Sequence, residues 1–188
     1  MTDANPLPVD LGSLPGLGQV GILVRDTDRA LKAYSTFLGV PRWYRSRTLD
    51  RETWYRGRLV DLELDIVVGY AGRVQIELVR VLSGGTDNVY HQILGADGWG
   101  FHHFGFIVRR IDDHLARIER SGLEVLQAST IRNLGGVVIR TAFLDTMSSC
   151  GFLTELIEAR FRGVSVGMPQ RLLRIGTRLG SVELLEVG

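Results

Sequence analysis

Two stretches of the chain alternate between apolar and other residues in the same way. Gln19-Val20-Gly21-Ile22-Leu23-Val24 and His103-Phe104-Gly105-Phe106-Ile107-Val108 overlay with a constant shift of 84 positions. The overlay continues through Arg25 on Arg109, Asp28 on Asp112 and Leu31 on Leu115. Period-two alternation marks a half-buried strand. Its recurrence with the same sequel predicts one half-domain written twice. Within Gly100–Val108, parity groups His102 with Phe104, Phe106 and Val108, and turns His103, Gly105 and Ile107 to the other face. His103 and Gln19 then occupy matching positions, away from the aliphatic face.

The rest of each half reads as β-α-β-β-β. After the first strand, at 18–24, Asp26 or Thr27 can cap a helix running to Leu38, with Leu31, Tyr34, Phe37 and Leu38 on its inner face. Gly39 closes that helix, and Pro41 prevents its continuation. Strands are expected at 43–48, at 53–68 with a break, and at 73–82, the last two joined by a turn at 69–73. In the second half, the strand at 100–108 precedes a helix lined by Ile111, Leu115 and Ile118. Strands follow near 124–127, 137–144 and 151–159, with a turn at 145–150. The run Val74-Gln75-Ile76-Glu77-Leu78 is echoed by Phe152-Leu153-Thr154-Glu155-Leu156, so Glu155 falls where Glu77 falls. The organisation is therefore a loose arm at 1–16, a first module at 17–83, a linker at 84–99 with a short helix from Val89 to Leu94, a second module at 100–160, and an extension at 161–188. In that extension Met168-Pro169 starts a helix with Leu172, Ile175 and Leu179 along one stripe and Arg171, Arg174 and Arg178 outside it. The stripe must pack on its own subunit or on a second copy.

Composition narrows the function classes. With 45% hydrophobic and 23% charged residues among 188, the chain has enough apolar material for one good core or two small coupled ones. A formal net charge of +1 gives no reason to expect nucleic acid or an anionic membrane as partner. No apolar run has the length of a membrane span, and no secretory signal is expected in residues 1–15. Cys150 is the single cysteine, which excludes an internal disulfide and suits a reducing cytoplasm.

The candidate chemistry lies at the repeat-related positions. Each half contributes one residue from its first strand and one from its last: Gln19 with Glu77, and His103 with Glu155. Two carboxylates, an imidazole and an amide oxygen suit a divalent ion, and the two carboxylates offset its charge. Glu63 and Asp65 are candidate second bases, against the reading that they form a solvent-facing row. Trp43, Trp54, Tyr55, Tyr90, His91 and Trp99 are candidate pocket linings, against the reading that aromatic side chains simply fill the core.

These pieces, with Leu38-Gly39-Val40 and Gly100-Phe101-His102-His103-Phe104-Gly105-Phe106, resemble the vicinal oxygen chelate superfamily, which includes glyoxalase I, methylmalonyl-CoA epimerase, extradiol dioxygenases and bleomycin-resistance proteins. The resemblance spans about residues 17–160. It implies an α+β fold, with two tandem βαβββ modules forming a cupped mixed β-sheet around a metal site. It also implies one divalent ion (zinc, cobalt, manganese, nickel, iron or magnesium) on Gln19, Glu77, His103 and Glu155. Glu155 and Glu77 would be the catalytic carboxylates, Glu155 being the better candidate for a base that also touches the metal. Gln19 is similar to the zinc type of glyoxalase I and speaks against an iron dioxygenase triad. Leu23, Val81 and Trp99 stand where glyoxalase I handles glutathione, which disfavours that substrate, and the His102-His103 pair is closer to the epimerase-like branch. The expectation is a metal-dependent isomerase, epimerase or lyase, homodimeric, acting on a small carbonyl compound through an enolate-like intermediate. The alternative is a ligand-sequestering protein of the bleomycin-resistance kind.

Overall fold

The computed structural model describes residues 14–93, 100–185 and 187; residues 1–13 of the arm expected at 1–16, Leu94 of the expected linker helix, and Trp99 lie outside the described residues. The first half supplies β1 (Gln19–Leu23), α1 (Thr27–Leu38), β2 (Trp43–Ser46), β3 (Thr48–Tyr55), β4 (Arg58–Val60), β5 (Leu62–Ala71) and β6 (Val74–Gly84). After α2 (Val89–Ile93), the second half supplies β7 (Gly100–Ile107), α3 (Ile111–Ser121), β8 (Val125–Asn133), β9 (Val137–Leu144), α4 (Met147–Cys150) and β10 (Leu153–Phe161). The extension adds β11 (Val164–Ser165), α5 (Gln170–Arg178) and β12 (Val182–Leu185). One mixed sheet runs β12-β2-β5-β6-β1-β7-β10-β9-β8-β3-β4, with β11 on β10.

The order β2-β5-β6-β1 is mirrored by β8-β9-β10-β7, so the halves meet where β1 pairs antiparallel with β7. In each half the first strand runs parallel to the last, β1 with β6 and β7 with β10. This places both first strands and both last strands side by side at the centre of the curled sheet. Helices α1 and α3 cover the convex face. Under α1 lie Ile22, Val24, Leu31, Trp43 and Leu78; under α3 lie Val108, Ile111, Ile118, Leu144 and Leu156. A third cluster, including Leu23, Tyr55, Tyr90, Leu126 and Phe143, fills the base of the cup.

Three features depart from the alternation pattern. The segment expected as one broken strand at 53–68 contains instead a hairpin, β3–β4, that leaves its own half and pairs with β8 of the other. Alternation reports that a segment is extended, not which edge it joins. Only Arg47 separates β2 from β3, although they stand near opposite ends of the strand order. The sheet therefore curls back on itself, and the seam is tied by Arg47 N–H to the Ser181 carbonyl and Leu134 N–H to the Arg47 carbonyl. Second, α1 is capped by Asp26, which accepts from Arg29 N–H, and buries Thr27, Ala30 and Leu31, but Phe37 is 86% exposed. Periodicity gives the side of a helix that packs, not how far the sheet beneath it reaches. Third, the alternation of β7 is broken. Gly21 pairs with His103 but Ile22 pairs with Phe101, so His102 is the extra residue of a β-bulge. Phe101 and Phe104 thereby share the outer face, and His102 turns inward beside His103 rather than joining Phe104 as parity predicts.

Candidate metal centre

Register across the four central strands brings the predicted residues to one point of the concave face. Gln19 opposes Gly105, Gly21 opposes His103, and Glu77 and Glu155 sit beside Gly21 and Gly105 on the parallel neighbours. His103 Nε2 lies 3.1 Å from Glu155 Oε2, 3.5 Å from Glu77 Oε2 and 3.3 Å from Gln19 Oε1. Donors held about 2.0–2.2 Å from one ion stand about 3.0–3.5 Å from each other in tetrahedral or cis-octahedral geometry. The distances from His103, the grouping of the Glu77, His103 and Glu155 donor atoms within 4.8 Å of one another and the N/O chemistry of the set fit a divalent ion.

The same symmetry explains two glycines. A Cβ on Gly21 would stand 1.8 Å from the His103 ring, and one on Gly105 would stand 2.6 Å from Gln19 Oε1. Each first-strand donor lies flat across the neighbouring first strand, which only glycine permits at the opposing position.

Two directional hydrogen-bond chains aim the donors, each starting at a backbone carbonyl, which can only accept. The Val89 carbonyl takes the His102 Nε2 proton, so His102 Nδ1 accepts from His103 Nδ1 at 2.8 Å. The lone pair of neutral His103 is thereby placed on Nε2, facing the carboxylates. His102 is held between the Tyr90 and Phe143 rings, and burial, with His103 beside it, lowers its pKa to about 3, so it stays neutral. On the other side the Met168 carbonyl accepts from Tyr70, Tyr70 accepts from Gln75 Nε2 at 2.7 Å, and Gln75 Oε1 accepts from Gln19 Nε2 at 2.8 Å. The oxygen of Gln19 is left facing the centre. No sequence signal singles out Tyr70 or Gln75, because neither chain is local. Replacing His102 by Phe keeps the ring packing and removes the acceptor, and should weaken divalent-metal affinity about 10–100-fold in calorimetric titration. An unchanged affinity would show that His103 needs no such support.

Electrostatics favour protons or a cation here. Burial, then Glu155, pushes Glu77 up to about 7, against the opposing charges of His103 and Arg51. Burial pulls His103 down, but Glu155 and Glu77 outweigh it and leave its pKa raised. Between pH 4.5 and 7 the folded metal-free protein thus binds a proton at Glu77 that the unfolded chain does not, and His103 extends this above pH 6.5. Stability of the metal-free protein from this site falls as pH rises through that window. A divalent ion takes the deprotonated groups, so it should raise Tm more at pH 8 than at pH 5.5 in thermal melts. A larger shift at pH 5.5 would contradict this assignment.

The centre opens into a cavity of about 560 Å³, and the family match follows from the same strands. The model of the glyoxalase/bleomycin resistance protein/dioxygenase superfamily matches residues 18–141. The chain belongs to that superfamily. The Bacillus subtilis protein YqjC, itself uncharacterized, is 24% identical over 144 residues, 77% of this chain and 92% of its own. Methylmalonyl-CoA epimerase from Mycobacterium tuberculosis has a similar fold, with TM-score 0.52 and 22% identity over 82% of this chain and 90% of that one. A Streptomyces coelicolor methylmalonyl-CoA epimerase in complex with 2-nitronate-propionyl-CoA has TM-score 0.50 and 21% identity over 77% and 97%. This superfamily fold is the α+β class expected, a curled mixed sheet.

Other sequence candidates lie apart from the centre. Glu63 is exposed and accepts from Ser83, while Asp65 is engaged by Arg45 at 2.7 Å and by Thr27. Trp43 and Tyr55 are core, and Trp54 and His91 are exposed. Of the described aromatics named from sequence, Tyr90 lines the cavity; Tyr44 and Tyr70, not named, do so as well. Arg51 is the larger omission. It reaches the cavity from β3, and its position depends on the cross-module pairing that alternation cannot reveal. No helix among the described residues is long and apolar enough to cross a membrane.

Proposed function

We propose that the protein is a metal-dependent isomerase or epimerase that moves a proton at a carbon next to a carbonyl. The observation carrying this reading is the placement of two repeat-related carboxylates around one imidazole at the floor of an apolar cavity. Gln19, Glu77, His103 and Glu155 would hold the ion. A divalent ion there supplies Lewis-acid polarisation of a substrate carbonyl and makes the neighbouring C–H acidic.

Glu155 takes the proton from that carbon. Its carboxylate lies against His103 at 3.1 Å, on the cavity side of β10 with Ile157 and Ala159, where bulk water has little access. Glu77 reaches the cavity from the other half of the pseudo-twofold, so a carboxyl stands on each side to take a proton and to return one. A protein that only sequesters an apolar ligand has no physical use for two carboxylates and an imidazole desolvated together. Epimerase-type neighbours in fold support the reaction class, and a homodimer in the cytoplasm remains part of the proposal.

The test is proton exchange. Metal-loaded protein incubated in deuterated water with 2-substituted acyl thioesters, hydroxyketones and 2-oxo acids should incorporate deuterium at the α-carbon of at least one class, read by NMR. No incorporation with any class, beside tight retention of the same compounds, would favour sequestration.

A further inference from the structure

We propose that the substrate is a small, singly charged anion with an apolar body, its anionic group held by Arg51 and its body packed under α5. This rests on the metal-centred reading above and names the substrate class of that site.

The charge balance comes first. Among the described residues, the charged side chains lining the cavity are Arg45, Arg51, Asp65, Glu77 and Glu155. Arg45 is spent on Asp65 at 2.7 Å and Glu183 at 3.4 Å. Glu77 and Glu155 offset a divalent ion. Arg51 is left over, without a close ion pair among the described residues, and near enough to Glu77 and Tyr90 for its charge to act on both. Counted over the described residues, the occupied site thus carries one uncompensated positive charge, which one negative charge on the ligand would neutralise.

The second observation is an orphaned donor. Tyr44 is 1% exposed, lines the cavity, and its hydroxyl has no hydrogen-bond partner among the described residues. It opposes Val68, which opposes Glu77, so it stands two strands from the centre on the same face, about 10 Å away. A buried hydroxyl left unpaired costs about 1–3 kcal/mol. A polar atom at the far end of a ligand, away from the metal-bound carbonyl, would satisfy it.

The third observation is the underside of α5. Its apolar residues Leu172, Leu173, Ile175 and Leu179 all line the cavity, yet none is buried; only Gly176 is. The stripe read from sequence is therefore not sealed within the core of its own subunit. It faces open cavity together with Ile131, Ile139 and Phe161, and an apolar ligand would cover it. The roof stays in place because β12 pairs with β2 and because Gly176 lets the helix settle on Val182. A body enclosed between cup and roof, with one charge to place, is unlike an acyl-CoA, whose phosphates carry several.

Calorimetry with 2-oxo-4-phenylbutanoate, its methyl ester, pyruvate and 4-phenylbutanoyl-CoA tests this on the metal-loaded full chain. The acid should bind at least about tenfold tighter than its ester, and about tenfold tighter than pyruvate. In Arg51→Gln the preference for acid over ester should shrink to about twofold, and in Leu172→Gln the preference for the phenyl body should shrink similarly. An equal affinity for ester and acid in wild type, a preference kept in Arg51→Gln, or tighter binding of the CoA thioester would each overturn the proposal. Metal titration of the same samples separates the two claims. If metal binds and α-protons exchange while the acid preference is absent, the substrate class is wrong and the metal reading stands. If no metal binds but the Arg51-dependent preference persists, the metal reading fails alone.

Discussion

Gly21→Ala should give a protein that retains its sheet, is less stable by about 1–3 kcal/mol, and binds no divalent ion measurably. The overpacking cost is the ordinary one for forcing a methyl into a filled site. The functional loss is larger because of where the methyl goes. A Cβ at residue 21 would overlap the His103 ring, at 1.8 Å from its Cε1. The imidazole cannot retreat: His102 and the Phe143 ring stand beside it, and both are buried. It must rotate away, and Nε2 leaves the oxygens of Gln19, Glu77 and Glu155. The repeat-related Gly105→Ala acts on Gln19 instead, a flexible amide, and should weaken metal binding without abolishing it. Isothermal titration of both variants, with thermal melts to confirm folding, reads the difference. Full metal affinity in Gly21→Ala would show that His103 is not a ligand.

Glu155→Gln should retain much of the metal while α-proton exchange falls by at least about 10², the usual contribution of a positioned base. The amide keeps an oxygen for the ion and loses the capacity to take a proton. Glu77→Gln should be milder in exchange, since the base assigned to removal is intact. Deuterium incorporation by NMR, normalised to bound metal, is the measurement. Undiminished exchange in Glu155→Gln would take Glu155 out of the mechanism.

The internal repeat was the most legible part of the chain. The overlay of Gln19 on His103 and of Glu77 on Glu155 identified the residues that the register gathers, because pseudo-symmetry converts sequence spacing into spatial proximity. Gly21 and Gly105 appeared in that overlay too, but their reason, a ring and an amide lying across the opposite strand, needs the register. Three things were hidden for physical reasons. A β-bulge shifts parity by one without changing composition, so His102 was assigned to the wrong face. The hairpin β3–β4 crosses to the second half, and Arg51 with it, through pairing that no local pattern encodes. The stripe of α5 was visible as a stripe, but amphipathicity cannot distinguish a helix packed on a core from one roofing a cavity.

The central claim is that Gln19, Glu77, His103 and Glu155 bind one divalent ion together. Anomalous diffraction from crystals grown with zinc or manganese tests it most directly. The account predicts a single strong peak about 2.0–2.3 Å from His103 Nε2, Gln19 Oε1 and one oxygen each of Glu77 and Glu155. A peak elsewhere, or none between these side chains at saturating metal, would contradict it.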